Sequence, residues 1–251
     1  MSFGDFDFLG GGMSGSNASS STTKINGVVV GVVTDNKDPD NLARVKLKFP
    51  IREGEETTDW ARVANLMAGN DRGSLFIPEV GDEVLVAFHL GEVSQPYVIG
   101  SLWNKDQAAP KGDADKNNIR KFRSRSGHEI TFDDDGTDGH VQIQCSKGHY
   151  ILLDDKTDTI KVSDKDGKNI IEIKGGDSGK ITVTSAGSGA SAVLTLTAQG
   201  DVTLNGAKSV KVESPQINIE SSGMLNLKAS GNIQMESNAM VTIKGSMVKI
   251  N

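Results

Sequence analysis

Four histidines, one cysteine and a set of aspartate-rich corners are the residues of this sequence with the means to do chemistry. The run Asp133-Asp134-Asp135-Gly136-Thr137-Asp138-Gly139 has the carboxylate density of a calcium loop. It fails the calcium-loop spacing, because no acidic residue fills the third ligand position before a glycine and no helices flank it. A polar hairpin corner is the expectation there, and likewise at Asp154/Asp155 and Asp164/Asp166. His128 lies in Ser126-Gly127-His128-Glu129, where a structural hydrogen bond is expected. His140 and His149 would share a metal only if chains met on a common axis, and no metal is assigned. Cys145 sits in the alternating stretch Val141–Ser146 and is expected to be a small buried hydrophobe. One thiol excludes an internal disulfide framework and a multi-thiolate metal site within the chain. No nucleophile elbow, spaced triad or phosphate loop is present. The sequence reads as a non-enzyme with no catalytic residues and no cofactor.

The elements that carry these residues are strands. From about residue 200 one short phrase recurs, two apolar residues one apart and then a polar corner. The pairs are Val202/Leu204, Val210/Val212, Ile217/Ile219, Leu225/Leu227, Ile233/Met235, Val241/Ile243 and Val248/Ile250. Leu194/Leu196 stands one octad upstream. An apolar–polar–apolar triplet is the period-two mark of a strand with one buried face, and a strand every seven or eight residues marks a solenoid. Upstream, six further strands are expected at Glu129–Phe132, Val141–Gln144, Tyr150–Leu153, Thr159–Val162, Ile170–Ile173 and Lys180–Thr184, spaced nearer ten residues and irregularly.

Composition fits a thin structure. Aromatics make up 5% of the 251 residues while glycine numbers 29, so a broad core is not on offer. The net charge of −6 argues against nucleic acid as the main partner. No apolar run is long enough for a spanning helix, and the N-terminus lacks the basic-then-apolar order of a secretory signal. Synthesis in a bacterial cytoplasm is the expectation. Residues 1–23 are expected to be a flexible tail, a Gly/Ser/Asn/Thr tract preceded by Phe3, Phe6, Phe8 and Leu9 among acidic residues. Residues 24–105 carry about five short strands, at Val28–Val33, Arg44–Phe49, Trp60–Ala64, Val84–Phe88 and Tyr97–Leu102. They suggest a small closed barrel with Phe49, Trp60, Phe76, Phe88 and Trp103 in its core. Residues 106–120 read as a linker or neck, and 121–251 as the strand repeat.

Three stretches carry a resemblance. GVVTDNKDPDNLARVKLKFP (31–50), WARVA (60–64) and FIPEVGDEVLVAF (76–88) followed by VIGSLWN (98–104) resemble the barrel of contractile-tail central spikes. That family comprises phage baseplate assembly protein V and the equivalent domain of VgrG proteins. NNIRKFRSRSGHEITFDD (117–134) is similar to the segment leading from that barrel into the spike. The resemblance implies an all-β chain, an OB-fold barrel followed by an intertwined three-chain β-helix. It implies a component of a phage tail, tailocin or related contractile injection system that sits under the hub and inner tube and punctures a target envelope on sheath contraction. Departures carry expectations too. With only a short tail before the barrel, the hub is expected to be a separate protein. Residues 106–120 leave no room for an inserted lysozyme domain. No histidine lies near the apex, so a PAAR-like tip protein is expected to cap it in place of an iron site.

A trimer is expected on physical grounds as well. An octad strand contributes a buried face about three residues wide, too little for a core alone. Three chains wound together bring the apolar pairs to a common axis. At about 4.8 Å per strand, some 12–16 strands would give a needle roughly 60–80 Å long. The expected trimer core is Val202, Leu204, Val210, Val212, Ile217, Ile219, Leu225, Leu227, Ile233, Met235, Val241 and Ile243. A docking surface for the tip protein is expected at Lys244, Met247, Val248, Lys249, Ile250 and Asn251. The competing reading is an OB-fold module gripping oligonucleotide or glycan on a β-rod stalk, which needs basic residues and exposed aromatics on one barrel face. A β-helical lyase or tail fibre would need acidic pairs in a groove and longer coils.

Overall fold

A computed structural model of the chain describes residues 24–51, 56–112 and 115–250. The tail expected at residues 1–23 lies outside the described residues. The chain forms two compact units, Met1–Arg123 and Ser124–Asn251.

The first unit contains β1 (Val28–Asp35), β2 (Lys46–Lys48), β3 (Arg62–Val63), β4 (Ala68–Gly69), β5 (Arg72–Gly73), β6 (Glu83–Phe88), β7 (Pro96–Leu102) and β8 (Ile119–Arg123). Five of these form a sheet in the order β2-β1-β6-β7-β3, with β3 parallel to β7 and the other pairs antiparallel. The sheet curls until its edges meet. The Val45 N–H donates to the Ala61 carbonyl at 3.0 Å, and the Ala61 N–H donates back at 2.8 Å. Alternation along β6 sends Val84, Val86 and Phe88 inward, where they join Val33, Val45, Leu47, Phe49, Ala61 and Val98 in one core. Phe49 and Phe88 pack with ring centroids 5.6 Å apart. Gly31 makes room for that pair, since a β-carbon there would stand 3.2 Å from Val86 and 3.3 Å from Phe49. The core is small, which suits the few bulky residues available.

Two expectations about the barrel are corrected. Phe76 and Trp103 are 66 and 72% exposed and stand outside the core, and Trp60 is only partly covered. Trp60 packs instead under cations, with the Lys46 Nζ 5.2 Å and the Arg44 guanidinium 6.0 Å from its ring. The two-residue hairpin β4–β5 was not legible, because its Ala, Gly and Arg residues carry no strand signal.

The turn chemistry at 35–40 extends into a loop organised by one carboxylate. Asp38 accepts from the backbone N–H groups of Asp40, Leu42 and Arg44 and from the Arg44 guanidinium. These bonds hold Asn41 and Ala43 in the left-handed region, at φ 54° and 56°, where a β-carbon is disfavoured. The Arg44 side chain, opposed in part by desolvation, holds the Asp38 carboxyl well below the usual carboxylate range.

The second unit contains β9 (Glu129–Asp133), β10 (His140–Gln144), β11 (Tyr150–Asp154), β12 (Thr159–Ser163), β13 (Asn169–Lys174), β14 (Lys180–Gly187), β15 (Ala190–Thr197) and β16 (Val202–Gly206). Each is antiparallel to the next, in strict chain order. The six strands expected between Glu129 and Thr184 all form, each within a few residues of its expected bounds. One turn type recurs. In Ser124–His128, Cys145–His149 and Thr197–Asp201 the first residue donates to the carbonyl of the fifth at 2.8–3.0 Å. The fourth residue is glycine with positive φ, 85°, 94° and 90° in turn, a conformation that favours glycine.

Two outcomes test this account. Both tryptophans lie in the first unit, so tryptophan fluorescence during urea unfolding reports the barrel alone. Leu47→Ala is expected to cost about 2–5 kcal/mol by that probe, while a change confined to the second unit leaves it unmoved. The depressed Asp38 pKa stabilises the fold above the ordinary carboxylate range near about 4 and fades as pH falls below it. Urea midpoints between pH 6 and 2.5 should fall less steeply for Asp38→Asn than for the unmodified chain; equal slopes would remove Asp38 as the anchor.

Candidate functional site

The second unit has a face built for contact. Strand pairing places every apolar pair against the next. One column runs Phe132, Val141, Leu153, Ile160, Ile173, Ile181, Leu196, Val202. The other runs Ile130, Ile143, Ile151, Val162, Ile171, Val183, Leu194, Leu204. β-branched residues dominate both, as a pleated packing surface favours. The opposite face carries Thr131, Gln142, Leu152, Lys161, Glu172, Thr182, Thr195 and Thr203 in the middle register, polar apart from Leu152.

Nothing in the described residues of this unit covers the apolar columns. Ile151, Ile160 and Ile171 are 40, 46 and 47% exposed, and among the described residues every buried core residue belongs to the barrel. Among the described residues Ser163 is the buried polar side chain of this unit. A contiguous apolar face of this extent marks a surface meant to meet another.

After Gly206 the octads continue without strand structure. Among the described residues no backbone–backbone hydrogen bond involves a residue beyond Ala207. In the pairs from Val210/Val212 to Val241/Ile243, first members are 50–57% and second members 61–68% exposed. The local conformation therefore repeats octad by octad while every apolar pair stays uncovered. Strands expected there are absent from the isolated chain, because a triplet this short finds no partner within it. Near the end Met247 and Ile250 are 85 and 87% exposed, and Asn251 lies outside the described residues.

The chemistry-bearing residues occupy turns and the polar face. Asp135 accepts from the N–H groups of Thr137 and Asp138 and from the Thr137 hydroxyl at 2.8–3.2 Å, the hairpin corner expected. Asp154 accepts from the Thr157 N–H, and Asp164 from the Asn169 amide and the Lys168 N–H. Those bonds lower both carboxyl pKa values. His128 receives the Ser146 N–H on Nδ1 at 3.3 Å and donates its own N–H to Ser124 Oγ, the structural role expected. His140 stands in register with Asp133 and Asp154, on the face opposite the apolar columns. His149 is exposed in a turn. No group of metal-ligating side chains occurs among the described residues. Cys145 is exposed, which corrects its expected burial. It lies two residues beyond Ile143, at the end of the apolar face, and is uncovered for the same reason as its neighbours.

The described residues thus form a small curled barrel and a one-layer antiparallel sheet with an exposed apolar face. Residues 29–103 match the family described as the type VI secretion system/phage-baseplate injector OB domain. The likeness is confined to that domain, about 30% of the chain, and the relatives below match in the same way over only part of their length. The chain is 30% identical over 132 residues to the type VI secretion system spike protein VgrG3 of Vibrio cholerae serotype O1, covering 49% of this chain and 13% of the relative. It is 28% identical over 128 residues to VgrG1a of Pseudomonas aeruginosa, covering 48% of this chain and 19% of the relative. For VgrG2a of the same organism the figures are 34% over 115 residues, 42% and 14%. The chain thus matches less than a fifth of the length of these relatives. No helix among the described residues is long and apolar enough to cross a membrane.

If the apolar face is covered in the working protein, Cys145 should be slow to react with a thiol reagent natively and fast once urea separates the chains. Equal rates would mean that this end of the face stays open.

Proposed function

We propose that this protein is the central spike of a contractile injection machine, a homotrimer that punctures a target envelope when the sheath contracts. The observation that carries the reading is the pair of in-register apolar columns with no cover of their own. Completing the burial of sixteen half-exposed side chains gains roughly 1 kcal/mol each, on the order of 15 kcal/mol per chain. That is comparable with or larger than the roughly 4–15 kcal/mol lost in association.

Three copies about a threefold axis turn the columns of all three sheets inward. Each sheet then sets the Asp-rich edge at 134–138 and 154–158 beside the opposite edge of a neighbour, which bears Lys147 and Lys165. The octads supply each other with the backbone partners they lack, and Val210 through Ile243 become the shared core. His140 faces outward in that arrangement, away from any axial metal. The barrel, proposed as residues 24–105, seats the trimer beneath a separate hub among baseplate subunits, and residues 106–120 form the neck. Lys244, Met247, Val248, Lys249, Ile250 and Asn251 form an apolar platform edged by lysines, suited to a PAAR-like tip protein. No step of this mechanism is catalytic. The force comes from the sheath, and a narrow rod concentrates it.

Solution mass should correspond to three chains, and the trimer should survive detergent on a gel without boiling. Ile171→Lys places a charge in a column and should yield monomers whose barrel tryptophan signal is unchanged. A monomeric wild-type chain, or an unaltered trimer in Ile171→Lys, would remove the reading.

A further inference from the structure

The barrel has an open strand edge that no part of the described chain occupies. β3 stops at Val63, whereas its parallel neighbour β7 continues to Leu102 with only β6 beside it. Ile99, Gly100 and Ser101 on that free stretch line a groove of about 360 Å³, walled by Val63, Leu66 and Phe76. Leu66 is 96% exposed. A second groove shares Val63, Asn65 and Ser74 with the first and is lined by Arg62 and Arg72. At the junction the Ser74 hydroxyl has no hydrogen-bond partner among the described residues. An open edge, an apolar trough and adjoining arginines together suit an extended peptide that alternates aromatic and acidic residues.

The chain contains one. Asp5-Phe6-Asp7-Phe8 alternates with the period of a strand, so Phe6 and Phe8 project to one side and both aspartates to the other. Reach is sufficient. The described chain begins at Lys24, which bridges Glu92 in the connection leading into β7. Seven residues of chain separate Glu92 from Ile99, at most about 24 Å. The fourteen residues Gly10–Thr23 can reach at most about 48 Å. We infer that residues 5–9 add as a strand to the free edge of β7, with Phe6 and Phe8 seated between Leu66 and Phe76. Asp5 and Asp7 lie toward Arg62 and Arg72. The occupant lies within the chain itself, so the site is separate from the apolar columns and independent of trimer formation.

The test uses the full chain, the chain lacking residues 2–9, and a fluorescein-labelled peptide of residues 2–12. Anisotropy should show saturable binding to the shortened chain, competed away in the full chain. Leu66→Asp in the shortened chain should weaken it at least about tenfold, and raising the salt should weaken it further. A peptide with Phe6→Ser and Phe8→Ser should not bind. Hydrogen exchange in segments 62–78 and 97–102 should be slower in the full chain than in the shortened one. Absence of peptide binding up to millimolar concentration would overturn the inference. Binding indifferent to Leu66→Asp and to the serine peptide would do the same. Oligothymidylate binding to the shortened chain without peptide binding would assign the groove to nucleic acid instead.

Discussion

A sheet one layer thick cannot bury its own apolar face, and the whole second unit is organised around that constraint. Its eight strands place sixteen apolar side chains in two columns. Such columns survive only if every turn keeps register, since a slip of one residue sends a strand's pair to the other face. The recurring glycine turns at Gly127, Gly148 and Gly200 fix the strand ends. The Asx turns at Asp135 and Asp154 do the same on the edge shared with Gly200, opposite Gly127 and Gly148. Carboxylates and glycines that resemble ligands or loops in the sequence are, physically, the devices that hold the columns straight.

The same constraint divides the unit at Gly206. Upstream, successive apolar pairs stand about ten residues apart, enough for a five-residue strand, a turn and an antiparallel return. Backbone hydrogen bonding is then complete within one chain. Downstream the spacing tightens to seven or eight, leaving a triplet and a corner. A triplet is too short to make a hairpin of its own, and in the single chain both its apolar face and its backbone groups stay uncovered. The intrachain sheet outlasts the change of period by one strand, since β16 stands one octad after Leu194/Leu196 and still pairs with β15.

Legibility followed whether a strand finds its partner within the chain. Ile151/Leu153, Ile160/Val162 and Ile171/Ile173 were readable because alternation and β-branched content state the element and its face together. The barrel core of Val84, Val86 and Phe88 was readable for the same reason. Phe76 and Trp103 were not, because an apolar run says nothing about which side of a strand is enclosed when the neighbouring edge is open. The octads were legible as repeats, and the single chain offers them no strand partner. Cys145 belongs with them: its residue type suggested burial, and its cover is not part of the single chain.

The barrel and the repeat therefore obey different stability laws. The barrel closes through Val45 and Ala61 around a core of nine residues, so its free energy is a property of one molecule. A face completed by copies is linked to their concentration, because whatever binds only the folded state stabilises it by mass action. Once strands from several chains interlock, separation requires many non-local contacts to break together, and persistence becomes a matter of rate. In the proposed spike, that persistence is what a puncturing stroke requires of the rod. The barrel can close within one chain, whereas the octads of the proposed spike become rigid only on assembly.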